Sequence, residues 1–385
     1  MPKVSVCSSS YNHEKYVSEA VQSVLDQTLQ DFELIITDDF STDKTVEKIQ
    51  QFDDPRITLF RHESNRGNMV ASENCFKHSR GEYIAWLTTD DVYEPHMLAT
   101  LSQHLDKNRD LLGVFGQPSF IDEDGNPIDY DYPTGGEAFN RFQHLNNLFK
   151  EKNYFCCPAA MIRRSTFEKL GYYPRFLRQI HDMAHWIRML FYGDLVILPD
   201  RVLKFRIRRN NANAGSETPE NRRRINFEIF ENLQQFVENI RDIDLLVKIF
   251  PEVRQHRWPL EDRLVSFHLA HIALAQPSSV HRLFGLDLLY KLMSDRATAD
   301  HLESRCGFDY PDLYRLEGER PVFADYAELG KDEAQLLKEL ELLRQMLTDG
   351  QAHREQLESA YNDLINSASW KVTSLLRKAR SVLSK

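Results

Sequence analysis

The chain has 385 residues, 42% of them hydrophobic and 28% charged, and a formal net charge of −10. This length predicts two or more folded units of globular composition, and the negative charge argues against nucleic acid as a partner. The five cysteines show no metal-ligand spacing, which argues against a zinc site and a disulfide framework. No apolar run reaches the roughly 18–20 residues that span a bilayer. Because strand pattern begins at Val4, we expect no signal peptide and a cytoplasmic protein.

Residues 1–110 alternate between strand and helix patterns. Apolar and β-branched runs predict strands at 3–8, 32–37, 57–60 and 83–87. Helical patterns lie between or after them at 16–27, up to 51, at 70–78 and at 95–105. Asn12 is a candidate N-cap of the first helix, and Ser41 or Asp43 of the second. This order predicts an α/β fold with a mostly parallel central sheet and helices on both faces.

The next segment is less regular. It predicts short strands at 112–116, 119–122, 159–163 and 195–198, with a turn at 124–126. Helices are expected at 139–149, 183–192, 223–240, 260–275 and 280–292. From 219 to about 305 the pattern is nearly all helical.

Two adjacent acids, Asp90 and Asp91, follow the predicted strand at 83–87. Open α/β sheets place their ligands at the carboxyl ends of their strands. Carboxylates there suit Mg²⁺ or Mn²⁺, completed by substrate phosphates and water. The alternative from the residues alone is that Asp91 caps the helix at 95–105.

The end of the chain has a distinct composition. Residues 336–364 place leucines and a tyrosine at alternating spacings of three and four, which predicts a short coiled coil or a helix packed on its own domain. The last 19 residues interleave five basic residues with apolar ones and contain no acid. Such a segment is typical of binding to a membrane surface, although a frayed, solvated terminus fits equally well.

Several motifs occur in the order of a known family. They are a strand and Tyr-Asn turn at 4–12, a strand and Asp-Asp-x-Ser-x-Asp loop at 32–43, Asn65-Arg66-Gly67, Gly81-Glu82-Tyr83, Thr89-Asp90-Asp91, and Asp182 followed by Trp186 and Arg188. Together they resemble the inverting family 2 glycosyltransferases, which have the GT-A nucleotide-diphospho-sugar transferase fold. The resemblance covers roughly residues 3–210.

The resemblance implies roles for individual residues. It implies that Ser9, Tyr11, Asp39 and Asp90 contact the nucleotide and that Asp91 binds Mn²⁺ or Mg²⁺. A carboxylate at Asp39 can accept the N3–H of uracil or thymine, which favours a UDP- or dTDP-sugar donor, though guanine also offers an N–H. Inversion requires one in-line attack by an acceptor hydroxyl, and Asp182 is the candidate base. The alternatives are core packing for Tyr11, helix capping for Asp39 and a plain N-cap for Asp182.

The chain also departs from the family pattern. His181 stands where the family usually has an acid, and Arg208 where it often has a histidine. Possible contacts to phosphate or acceptor are Arg66, Arg206, Arg208 and His181. The segment from Ser369 to Arg377 resembles the Ser-Trp-Arg-x-Thr tail of bacterial surface-polysaccharide glycosyltransferases, but it lacks their proline.

The sequence therefore predicts a metal-dependent, inverting glycosyltransferase that acts on a glycan or lipid-linked acceptor in cell-surface polysaccharide synthesis. We expect a GT-A domain at 1–215, a helical accessory region at 216–330, a coiled coil at 331–366 and a basic tail at 367–385. The tail would dock on the inner face of the plasma membrane and the coiled coil would form homo-oligomers. Rival hypotheses are a coiled-coil scaffold with a degenerate sugar site and a sugar nucleotidyltransferase. The second would need a Gly-rich basic loop after the first strand, which residues 8–12 lack.

Overall fold

A computed structural model of the chain describes residues 1–133, 138–172, 174–208, 218–320 and 322. Its strands are β1 (Val4–Ser10), β2 (Phe32–Asp38), β3 (Ile57–Arg61), β4 (Tyr83–Thr88), β5 (Val92–Tyr93), β6 (Leu111–Ile121), β7 (Ala160–Arg163) and β8 (Asp194–Arg206). Its α-helices in the first 200 residues are α1 (Val17–Leu25), α2 (Thr45–Ile49), α3 (Asn68–His78), α4 (Met97–Lys107), α5 (Arg141–Phe149), α6 (Arg164–Leu170) and α7 (His181–Tyr192). The later ones are α8 (Pro219–Asn239), α9 (Ile243–Ile249), α10 (Val265–Leu274), α11 (Ser279–Ser294), α12 (Arg296–Cys306) and α13 (Tyr310–Glu319).

The strands form one mixed sheet in the order β3-β2-β1-β4-β7-β6-β8-β5. Strands β3, β2, β1 and β4 are parallel, as helical crossovers require. Antiparallel pairing begins at β7, which joins β4 to β6, while β6 and β8 pair in parallel. The predicted α/β class with a mostly parallel sheet is confirmed.

The central strands are buried on both faces. Every residue of β2 is buried, and so are six of the seven in β1, as expected for parallel strands covered by helices on each side. Gly81 precedes β4, and a Cβ there would lie 2.5 Å from the backbone nitrogen of Ser5. Only glycine permits this close approach of the two chain segments.

Strand register brings three loops to one edge of the sheet. Ser10 at the end of β1 pairs with Asp38 at the end of β2, and Ser9 pairs with Thr88 at the end of β4. The segments 11–13, 39–41 and 89–91 therefore meet at the carboxyl edge.

Two long strands replace three predicted short ones. Residues 111–121 form one strand, β6, and the predicted strand at 195–198 continues to Arg206. The β6–β8 ladder shifts register around Gln117 and Pro118. A proline is tolerated at such an irregularity, and it made the sequence look interrupted.

The predicted caps of the first two helices are wrong. Helix α1 begins at Val17 with Tyr16 as N-cap, and α2 has Lys44 at that position. Asn12 instead adopts a φ of 53°, and its side-chain oxygen accepts the backbone N–H of Thr42 at 2.9 Å. Its side chain joins the loops after β1 and β2.

The chain divides into two compact units, Met1–Gln276 and a second that begins at Pro277. The first contains the sheet together with α8, α9 and α10, and the described part of the second consists of α11, α12 and α13. The predicted coiled coil and basic tail lie outside the described residues. Among the described helices, none is long and apolar enough to cross a bilayer.

Candidate active site

Asp91 lies at the carboxyl edge, between β4 and β5, and it is 2% exposed. One carboxylate oxygen accepts the backbone N–H of Arg206 at 2.8 Å, and the other accepts the Thr88 hydroxyl. Burial, and then the neighbouring charge of Asp90, raise the pKa of Asp91 well above its ordinary value. Asp91 does not cap the following helix, because α4 begins at Met97 after the intervening strand.

The Asp90 carboxylate faces two basic side chains. Its Oδ2 lies 3.2 Å from Nε of Arg208 and 3.9 Å from Nε2 of His13. Nη1 of Arg208 lies 3.2 Å from the same His13 nitrogen, and Nδ1 of His13 lies 2.6 Å from the Thr89 hydroxyl. Burial lowers the pKa of His13, which favours a neutral ring that accepts from Arg208 and donates to Thr89.

Arg206 supports the acidic pair from within the protein. Its side chain is 1% exposed, and Nε donates to the backbone oxygen of Asp90 at 2.8 Å. Nη1 donates to the backbone oxygen of Asp122 at 3.0 Å, and Nη2 donates to the Glu19 carboxylate at 2.6 Å. The structure therefore gives Arg206 a supporting position, whereas the sequence suggested a possible contact to phosphate or acceptor.

Asp39 also has partners of its own. One oxygen lies 2.8 Å from Nδ1 of His62 and accepts the Arg66 backbone N–H at 2.8 Å, while the other accepts the Gly67 N–H at 2.7 Å. A carboxylate has about four acceptor positions, so about one remains for a ligand. The Arg66 side chain is exposed on this loop.

The remaining residues expected to contact the nucleotide lie on the same edge. Tyr11 is 45% exposed, so it is not a core residue. The Ser9 hydroxyl donates to the side chain of Asn68 on α3. Asp38 is fully buried and accepts the Ser41 backbone N–H at 2.9 Å, which gives it a structural position.

Asp182 lies in the first turn of α7 and is partly buried. Its Oδ1 accepts the Met183 backbone N–H at 2.8 Å, and the Asn153 side chain also bonds to it. Burial raises the pKa of Asp182 and lowers that of His181. The N-cap of α7 is Ile180, so a plain capping role does not explain Asp182.

The charges of both acids act on the buried thiol of Cys156. The thiol is 2% exposed, and burial is the main cause of its raised pKa, with further increases from the charges of Asp91 and Asp182. Tyr132 is hydrogen-bonded to Cys156. Burial is the main cause of the raised pKa of Tyr132, and the charge of Asp182 adds to it. The metal-ligand candidate and the base candidate thus face one region.

The sequence interpretation missed several residues of this region: His13, His62, Tyr132 and Cys156. His13 directly follows the Tyr-Asn turn, so its position next to a recognised motif was a usable signal. The other three lie in segments without a motif, and only the fold brings them to the site.

Comparison with known proteins identifies the family. The sequence model of the family described as "Glycosyl transferase family 2" matches residues 5–171. An uncharacterized glycosyltransferase of Methanocaldococcus jannaschii is 32% identical over 211 residues, which are 54% of this chain and 71% of the relative. The chain belongs to glycosyl transferase family 2. This family 2 glycosyltransferase is also 31% identical over 194 residues to TuaG of Bacillus subtilis, covering 50% of this chain and 73% of TuaG, a protein named for teichuronic acid biosynthesis.

Solved structures share the fold of this glycosyltransferase. The crystal structure of residues 1–349 of TarS from S. aureus, in complex with UDP, superposes with a TM-score of 0.52. It is 16% identical in sequence, and the match covers 80% of this chain and 93% of the TarS chain. The GT-A fold expectation is confirmed. The family match ends at residue 171, before α7, so the placement of Asp182 depends on the structure alone.

Proposed function

We propose that this glycosyltransferase transfers a sugar from a UDP- or dTDP-sugar to a glycan or lipid-linked acceptor, with inversion and with the help of Mn²⁺ or Mg²⁺. The observation that carries the proposal is that Asp91, at the carboxyl edge of the sheet, and Asp182, in the first turn of α7, both lie close enough to Cys156 for their charges to raise the pKa of its buried thiol. One acid is then available to the leaving diphosphate and the other to the attacking hydroxyl.

The donor would bind over the ends of β1, β2 and β4. Exposed Tyr11 offers an aromatic face to the base, and the remaining acceptor position of Asp39 suits an N3–H group. Ser9 and Asp90 border the space that the ribose would take. TarS structures with UDP and with UDP-GlcNAc have been solved, and this shared fold supports a uridine donor.

The acidic pair fits a divalent cation. Among the described residues no three His, Cys, Asp or Glu side chains come together to hold a metal ion, so a bound ion would have to take most of its ligands from phosphate and water. Asp91 would hold the ion, because the Asp90 carboxylate already faces Arg208. A buried carboxylate with a raised pKa gains from a neighbouring cation, which supports this assignment. When bound, the cation would neutralise charge on the departing nucleoside diphosphate.

Asp182 would accept the proton of the acceptor hydroxyl. A single in-line displacement needs one base on the face opposite the leaving group. The raised pKa of Asp182 makes it a stronger base than an exposed aspartate. The half-buried His181 beside it would help to hold the acceptor.

The relatives and the end of the chain suggest the biological setting. TuaG is named for teichuronic acid biosynthesis, so we place this enzyme in cell-surface polysaccharide synthesis. The basic residues 367–385 would hold it at the inner face of the plasma membrane, where lipid-linked acceptors lie.

Replacement of Asp182 by asparagine tests the proposal. Asp182→Asn should reduce transfer by about 10²–10⁴-fold while donor binding is retained, because only proton removal is lost. Transfer is measured as nucleoside diphosphate release, and binding as thermal stabilisation by UDP-sugar with Mn²⁺. Asp194→Asn, at an exposed position on β8, is the matched control. Full transfer activity in Asp182→Asn would rule out Asp182 as the base.

A further inference from the structure

Glu228 on α8 makes an unusual set of contacts. Its carboxylate accepts three successive backbone N–H groups, those of Arg178 at 2.7 Å, Gln179 at 2.8 Å and Ile180 at 2.8 Å. Both oxygens are used, and the residue is only 7% exposed. A buried carboxylate that accepts hydrogen bonds from three backbone N–H groups restrains the backbone far more strongly than a surface ion pair does.

The three amides directly precede the helix of the candidate base. Ile180 is the N-cap of α7, and its side chain makes no capping bond in the described structure. Glu228 therefore supplies, from a different helix, acceptors for the N-cap amide and the two amides before it, which lie ahead of the N2 and N3 amides that a cap side chain normally serves. Asp182 follows Ile180 by two positions, so its place depends on this anchor.

Further bonds join α8 to the same region. The side chain of Gln179 donates to Asn221 at 2.9 Å, and Gln235 donates to the backbone oxygen of Ala184 in the first turns of α7 at 3.2 Å. Helix α8 is thus hydrogen-bonded both to the loop before α7 and to α7 itself. This gives the region after residue 216 a function that its sequence pattern did not reveal.

The charge of Glu228 also reaches the first turn of α7. Burial lowers the pKa of His181, and the charges of Asp182 and Glu228 partly oppose that shift. A negative charge at this point compensates the positive end of the helix.

We propose that Glu228 is a positioning residue for transfer, which holds the start of α7 so that Asp182 stands at the acceptor hydroxyl. This inference rests on the proposed role of Asp182 as base. Glu228 itself does not touch the substrate. It acts through the backbone of residues 178–180.

The test is Glu228→Gln in the full chain. The amide keeps the shape but offers one acceptor oxygen and places an NH₂ group against the backbone amides, so the segment must move. A displacement of about 1 Å at a reacting group costs on the order of 10²-fold in rate, so kcat should fall by about that factor. The KM for the donor should stay near its wild-type value, because the nucleotide site lies on other loops.

The pH profile separates positioning from simple structural support. The titratable groups that interact with Asp182 are His181 on its own helix and Tyr132 and Cys156 from neighbouring segments, while the charge of Glu228 acts on His181, next to Asp182. Removing the Glu228 charge favours the anionic form of Asp182, so the acid limb of kcat/KM should move to lower pH. Glu228→Asp keeps the negative charge on a shorter side chain. The acid limb of kcat/KM should therefore return to its wild-type pH, while kcat stays reduced.

Glu231→Gln is the matched control, since it makes the same change on an exposed position of α8. An unchanged kcat in Glu228→Gln, or a reduced kcat with an unmoved acid limb, would overturn the proposal. If Glu228→Gln does not fold, a wild-type kcat in Glu228→Asp would overturn it instead. Asp182→Asn is measured in parallel to distinguish the two proposals, because its activity tests Asp182 as the base and does not test Glu228 as the positioning residue.

Discussion

The nucleotide side of the site and the helix that carries Asp182 differ in where their supporting contacts come from. Around Asp39 and Asp91 the partners come from the motif loops and from β8, and the polar groups bond directly to one another. The backbone just before Asp182 is held instead by Glu228, from a helix beyond the family motifs. The proposed donor site is thus built mainly from recognisable sequence, whereas the backbone before the proposed base is held by a distant segment with no motif.

The largest effect is expected at Asp91, the proposed metal ligand of the nucleotide side. Asp91→Asn should reduce transfer by about 10³-fold, because the negative charge that would hold the cation is removed. Stabilisation by UDP with Mn²⁺ should also disappear, in contrast to Asp182→Asn. Thermal shift and product release measure both effects, with Asp53→Asn at an exposed position as control. Retention of the Mn²⁺-dependent shift would argue against Asp91 as the ligand.

The next largest effect is expected on the unfolding free energy when Arg206, which is buried beside Asp90 and Asp91, is replaced. Arg206→Met removes the donors that serve the backbone oxygens of Asp90 and Asp122. Each buried acceptor left without a donor costs about 1–3 kcal/mol, so we expect a loss of at least about 2 kcal/mol in unfolding free energy. Urea denaturation measures it, and Arg201→Met on the exposed part of β8 should have little effect. An unchanged stability would show that the Arg206 contacts contribute nothing.

Buried histidines on α5 and α7 should make the stability depend on pH. Burial lowers the pKa of His144 to about 4 and that of His185 to about 3. Below about pH 6.5 these histidines are protonated in the unfolded chain but still neutral in the folded protein. The unfolding free energy should therefore decrease as the pH drops. For His144 the loss approaches 3 kcal/mol, an order-of-magnitude figure, near pH 4.

Replacement of His144 by asparagine checks this pH dependence. The amide does not titrate and can still bond to the Tyr154 hydroxyl, which lies 2.8 Å from Nδ1 of His144. Unfolding free energies at pH 7.5 and pH 5 should therefore differ less in His144→Asn than in the wild type. His78→Asn, at an exposed site, should keep the wild-type dependence. Equal dependence in all three proteins would contradict the prediction.

The smallest effect concerns strain on the nucleotide side. Phe40 is 41% exposed and has a φ of 70°, in the left-handed region that disfavours bulky side chains. Phe40→Gly should raise the unfolding free energy by about 1 kcal/mol, because this strain is relieved. Phe176→Gly, at an exposed position without a positive φ, should give no such gain. A less stable Phe40→Gly variant would show that the ring contributes more by packing than the strain costs.

The sequence by itself determined the elements of the nucleotide side. Alternation of apolar strands and amphipathic helices fixes a parallel sheet, and that sheet places the loops holding Tyr11, Asp39 and Asp91 at one edge. These features are local in sequence, so periodicity and motif spacing reveal them. Strands β6 and β8 were predicted too short, because an irregular ladder with a proline breaks the periodic pattern.

Only the tertiary structure decided which polar groups meet. It buried Arg206 beside the acidic pair, paired Arg208 with Asp90, and brought both Asp91 and Asp182 close enough to Cys156 for their charges to act on its thiol. It also brought Glu228 to the backbone before α7, across about 50 residues of chain. Such contacts arise from packing between distant segments, and a linear pattern of residues carries no signal for them because the closing of long loops is not encoded locally.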